Sequence, residues 1–184
     1  MRTLFVFDMA SQPAIARWAP IALRLIVGYG FIEHGWAKLA RGPESFTHIL
    51  HALGMPLPDV LAWGTILVEL VGGAAVLLGA FVPLVSVPMA VVLLVAIVTV
   101  HLPNGFSSIK LEDVTAAGAR FGPPGYETDL LYLACLAALV VGGSGPWAID
   151  RLIATRAKQH SKSAPGSGDQ GVDLVRTTTT LPLP

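Results

Sequence analysis

Four stretches of the chain, Trp18 to Ala40, Asp59 to Ala80, Pro83 to Leu102 and Tyr126 to Gly143, are apolar over most of their length and broken by few charges. A helix that crosses a bilayer needs about 20 residues at about 1.5 Å of rise each. The pattern therefore predicts an all-α polytopic membrane protein built as a four-transmembrane-helix bundle. The third stretch is the plainest, with nothing more polar than Thr99 between Ala90 and Val100. The fourth has an unbroken apolar core only from Leu130 to Val141 and reaches spanning length by including Glu127 and Asp129 at one end and glycines at the other.

The connections have patterns of their own. Between the first two helices, Phe46, Ile49, Leu50 and Leu53 follow the spacing of a short amphipathic helix lying on the membrane surface and ended by Gly54. Ala80 to Pro83 reads as a tight turn, and Pro103 to Gly125 as a longer loop, large enough to fold over one end of the bundle. Three regions result: a short cytoplasmic N-terminal segment (1–16), the membrane domain (17–154), and a tail (155–184) whose Lys, Gln, Ser, Gly and Thr content predicts disorder.

Composition agrees with the pattern. Hydrophobic residues make up 53% of the 184 positions and charged residues only 13%, too apolar a balance for an ordinary soluble domain. Twelve basic and twelve acidic residues cancel, and no basic stripe with interleaved aromatics suggests a nucleic-acid partner. Cys135 is the single cysteine, so the chain alone supplies no dithiol couple, disulfide or thiolate zinc site. The apolar patch Leu4 to Phe7 is too short for a secretory signal, leaving the first helix as the expected insertion signal. Lys and Arg outside the helices are more numerous on the side of the termini, which predicts a multi-pass protein of the bacterial inner membrane with both termini cytoplasmic.

Candidate chemistry lies in the charges inside the apolar stretches. Glu69 is the one charge between Leu61 and Ala80, and a carboxylate there is costly unless paired or protonated. Helical rise places Arg24 about 9 Å and Glu69 about 16 Å from the cytoplasmic boundary, a gap an Arg side chain can bridge. Arg24 is therefore the expected partner, either as a structural pair or as part of a site that handles substrate or protons. On a helical wheel Gly28, Phe31, Gly35 and Lys38 share the side of Arg24, and Thr65, Gly72, Gly73 and Val76 gather around Glu69. Glu127 shares its side of the fourth helix with Leu131, Ala134, Ala138 and Val141, and the small-residue ladder Ala134, Ala138, Gly142 points that side into the bundle. His34 and His101, with Glu127, form a candidate cluster in the outer leaflet, able to move protons or hydrogen-bond a quinone carbonyl. No H-x-x-x-H or H-E-x-x-H spacing supports a metal, and none is expected. The tryptophans Trp18, Trp36, Trp63 and Trp147 fall near the expected membrane boundaries.

In order along the chain, Arg24, Gly28, His34-Gly35-Trp36-Ala37-Lys38, Glu69-Leu70-Val71-Gly72-Gly73, Gly79, His101, Gly105-Phe106, Gly125-Tyr126-Glu127 and the glycine-rich run to Asp150 resemble the pattern of the DoxX family of small bacterial membrane proteins. The resemblance covers roughly residues 17 to 153 and departs at Ala148, where a Ser is common. It implies a four-helix membrane bundle, kinship with a subunit of a thiosulfate:quinone oxidoreductase, and relatives that act as membrane partners in redox defence or cofactor maturation.

Together these readings lead to a redox-linked membrane subunit that binds a quinone or another small amphiphile and takes its electrons from a ligand, substrate or partner protein. Glu69 and Arg24 are the candidates for chemistry, and His34, Lys38, His101 and Glu127 for ligand binding. One alternative is a non-enzymatic scaffold that recruits a redox partner or forms a homo-oligomer. A small-solute or proton carrier is a further alternative, disfavoured because no internal repeat is present and Pro88 falls near a helix start rather than at the midplane.

Overall fold

The structure, a computed structural model, describes residues 16–155. The N-terminal segment (1–16) and the tail expected to be disordered (155–184) lie outside the described residues except for Ala16 and Thr155. Four long helices dominate. Helix α1 covers Ala19–Ala40, and the short α2 covers Pro43–Ala52. Helix α3 runs through Pro58–Leu67, a π-helical turn at Val68–Gly72, and Gly73–Leu78. Helix α4 covers Val82–Ala96, passes into a second π-helical turn at Ile97–His101, and ends in a 3-10 turn at Leu102–Asn104. Helix α5 covers Glu127–Gly142, and residues 149–155 form a last helical stretch.

Proline marks the starts. Pro20, Pro43, Pro58 and Pro83 stand in the first turns of α1 to α4, where a missing N–H costs nothing and a fixed φ favours the helix. Helix α3 stops at Gly79, whose φ of 65° is the left-handed cap. Its N–H reaches the Val76 carbonyl at 3.0 Å, and the Ala80 N–H reaches Ala75 at 2.8 Å, the paired bonds of a Schellman motif.

Glycine sets how closely α1 and α3 approach. A Cβ on Gly28 would stand 2.8 Å from the Gly73 carbonyl oxygen, and one on Gly73 would stand 2.8 Å from that of Gly28. Backbone meets backbone there, as small residues allow in helices without a hydrophobic drive to associate. Around this contact Val27, Phe31, Val76, Val82, Met89, Leu93, Leu136 and Leu139 form the core. By contrast Ile26, Val60, Leu67, Val71, Val87, Leu94 and Val98 are each more than half exposed, an outer apolar surface suited to lipid chains. The stretches Pro58–Leu78 and Val82–Asn104 are long and apolar enough to cross a membrane. Helix α1 has the length but also carries Arg24, Glu33 and Lys38, and α5 has only 16 residues.

Two expectations are corrected. The chain is mostly helical rather than all-α, because the loop after α4 contains an antiparallel hairpin of β1 (Leu111–Thr115) and β2 (Gly118–Phe121), joined across Ala116 and Ala117. Gly118, at φ 119°, supplies the conformation the turn needs. The small-residue ladder of α5 also faces the other way from the wheel: Leu131, Ala134, Ala138, Val141 and Gly142 are exposed, while Leu136 and Leu139 are buried. Glycines of α1 and α3 already provide the hollows in the interior, so α5 inserts bulk where the ladder argument expected smallness.

Candidate functional site

The close contact of Gly28 with Gly73 fixes the register of the antiparallel pair α1 and α3, and with it the partner of each buried charge. Arg24 lies level with the last turn of α3. Its Nη2 donates to the Leu77 carbonyl at 2.7 Å and its Nε to that of Val76 at 3.2 Å. Nη1 donates across to Ser144 and Pro146 at 3.1 and 3.3 Å. The guanidinium thus sits among carbonyls at the negative end of a helix, where a cation is favoured.

Glu69 lies seven residues before Val76, about 11 Å further along α3, beyond reach of Arg24. Lys38 takes its place. The Lys38 ammonium stands 2.7 Å from both carboxylate oxygens of Glu69, one side chain 23% exposed and the other 6%. The expected Arg24–Glu69 pair is therefore replaced by two separate sites about 21 Å apart along α1. Helical rise alone leaves the axial register of α1 against α3 open, and a slip of about one turn is enough to exchange one cation for the other.

Gly35 makes room for the pair. A Cβ at Gly35 would stand 3.0 Å from that of Glu69. Lys38 also lies 5.2 Å from the centre of the Phe46 ring, so α2 covers the ion pair with an aromatic face. Glu69 itself sits in the first π-helical turn, a distortion frequent at functional positions.

The second π-helical turn carries His101. Its Nδ1 lies 3.2 Å from the Pro124 carbonyl, and its Nε2 lies 3.9 Å from Oδ2 of Asp129. His34 is exposed on α1 and lies within electrostatic range of the same carboxylate. The cluster foreseen as His34, His101 and Glu127 is thus centred on Asp129. Glu127 does other work: its Oε2 accepts the Ser108 N–H at 3.0 Å and ties the loop after α4 to the start of α5. Asp129 is two residues from Glu127, and so on the opposite face of α5. The π-helical turn rotates His101 away from the phase that a regular wheel assigns. Among the described residues, no group of three or more His, Cys, Asp or Glu side chains is close enough to hold a metal ion.

Asp150 is a further functional position in the architecture. Its Oδ1 accepts the Phe81 N–H at 2.7 Å and its Oδ2 the Val82 N–H at 3.2 Å, so it caps α4 from far along the chain. The signal for it was the glycine-rich run that ends in this aspartate.

A helical bundle with an apolar outer surface and its buried charges paired inside defines a membrane protein. Residues 19–102, a little under half of the chain, match the model of the DoxX family. The matched segment holds Arg24, His34, Lys38, Glu69 and His101 but stops before Asp129 and Asp150. The chain is also 35% identical over 86 residues to the "Putative oxidoreductase CatD" of Bacillus subtilis (strain 168). That match takes in 47% of this chain and 62% of the relative's length. No solved structure matches.

Proposed function

We propose that this protein is a redox-linked subunit of the bacterial inner membrane that binds a quinone or similar amphiphile at the Lys38 end of the bundle. In this reading α1, α3, α4 and α5 all cross the bilayer, and both termini are cytoplasmic. Supporting it is the gathering at one end of two polar pairs, Lys38–Glu69 and His101–Asp129, each on a π-helical turn. The His101 and Lys38 side chains are each about one-quarter exposed, enough for either to donate to a carbonyl oxygen of an entering ring. Asp129 and Glu69 hold these donors in place, and His101 with Asp129 can carry a proton to or from a reduced oxygen. Arg24 is left out of this chemistry, since carbonyls already occupy its guanidinium. The name of the Bacillus relative lends support to an oxidoreductase setting, with electrons delivered by a partner protein.

The satisfaction of each of these buried charges by a protein partner favours a second reading, a scaffold whose charges only lock the helices. Mass spectrometry of quinones extracted with the purified protein separates the two. A near-stoichiometric quinone that disappears in His101→Ala and Lys38→Met at equal folded amounts supports the first. Quinone no higher than in the bulk membrane supports the scaffold.

A further inference from the structure

We propose that the Arg24 end of the bundle carries a binding site for an anionic phospholipid, with the phosphodiester between Arg17 and Arg151 and an acyl chain in the groove behind them. This assignment rests on the membrane setting and is independent of any quinone.

A groove with a cavity volume of about 760 Å³ opens between the start of α1, the start of α4 and the end of α5. Its inner wall is apolar, with Pro20 and the buried Leu139, and Val140, Phe81 and Leu84 form an exposed apolar lip. Arg17 and Arg151 also line it, and neither is in an ion pair with any described residue. Asp150 is the one acidic residue in the lining. Both of its oxygens accept N–H groups at the start of α4, Oδ2 also lies 3.5 Å from the Ser144 hydroxyl, and its charge acts on Arg24, so it is engaged within the fold.

The level of the groove is marked by aromatics. Trp18 and Trp147 meet edge to face with centroids 5.1 Å apart, and the Arg17 guanidinium lies 5.5 Å from the Trp18 ring centre. Paired indoles belong at the boundary between headgroups and acyl chains. An apolar trough there, topped by two guanidinium groups, matches an amphiphile with an anionic head. Arginine's planar fork suits phosphate oxygens in particular. The volume accommodates a headgroup and the upper part of one chain, not a whole lipid, so the remaining chain would lie along the exposed flank of α4.

The test is native mass spectrometry of the full-length protein in neutral detergent, titrated with phosphatidylglycerol or with phosphatidylcholine of the same chains. One phosphatidylglycerol should be retained in preference to phosphatidylcholine. The Arg17→Gln/Arg151→Gln double variant should weaken its retention about thirtyfold, from the attraction of two basic groups. Val140→Trp fills the trough without altering charge and should also abolish the preference, which decides the matter if the arginine variant unfolds. Lys110→Gln/Arg120→Gln, at the other end, should change nothing. Equal retention of the two lipids overturns the assignment, as does retention unaffected by Val140→Trp. Displacement of phosphatidylglycerol by equimolar inorganic phosphate overturns it too, because the acyl groove would then be irrelevant.

Discussion

Helix α1 carries one inward cation near each of its ends, and the two are treated in opposite ways. Arg24 donates to neutral carbonyls from α3 and from the segment after α5, four contacts that use most of its fork, with the Asp150 carboxylate within electrostatic range. Lys38 faces one carboxylate and an aromatic ring, with its ammonium still partly open to the surroundings. The first arrangement fixes geometry through many directed bonds and is indifferent to proton transfer. The second concentrates its interaction in a single ion pair made by a compact point charge. Burial of charge thus takes two forms within one helix, many directed bonds at one end and a single ion pair at the other.

The largest effect expected from breaking this contrast is at Arg24. Arg24→Leu should lower unfolding stability in detergent by about 3–5 kcal/mol, because the carbonyls it leaves behind lose their donors inside the fold. Arg24→Lys should recover only part of that, since a point charge cannot reach all four oxygens; full recovery would show that charge rather than the fork matters. Next is Glu69→Gln, expected to cost about 1–3 kcal/mol by leaving the Lys38 ammonium without its counter-charge. The double variant Lys38→Met/Glu69→Leu should regain most of the loss, and failure to do so would make the Lys38 end a fastener like the other. Asp150→Ala should cost about 1 kcal/mol through loss of the cap on α4, read as a drop in unfolding temperature. His101→Ala is the smallest in stability, within about 0.5 kcal/mol, yet should remove quinone from the purified protein. A large stability loss there would move the histidine to the structural side of the comparison.

Much of the helical layout was legible from hydrophobic periodicity. The limits of α1 and α3 fall close to the expected stretches, α2 appears with its amphipathic spacing, and Gly28, Gly35, Gly72 and Gly73 face the interior as their wheels require. Lys38 was even placed on the same face as Arg24. Choosing between the two cations needed the axial register of α1 against α3, which a wheel does not contain. Register came from a backbone contact at Gly28 and Gly73, one that depends on both helices at once. The π-helical turns were illegible for a related reason: each adds a residue to the local repeat and shifts every later side chain in phase, as at His101. The facing of α5 was misjudged because a ladder of small residues does not say which neighbour it serves. Asp129 lies on the face of α5 opposite the small-residue ladder, so a wheel that turns the ladder inward points to Glu127 instead.

The Arg24 contacts also impose an order of events. Ser144 follows Arg24 by 120 residues, and Asp150 follows the Phe81 that it caps by 69. At a synthesis rate of about 5–20 residues per second, the guanidinium exists for about 6–24 s before its last acceptors are made. Throughout that interval the nascent bundle has an open seam at one end. The segment after α5 works as the clasp of a purse: until residues 144–146 are made, Arg24 has its two acceptors on α3 but lacks the two that close the end of the bundle.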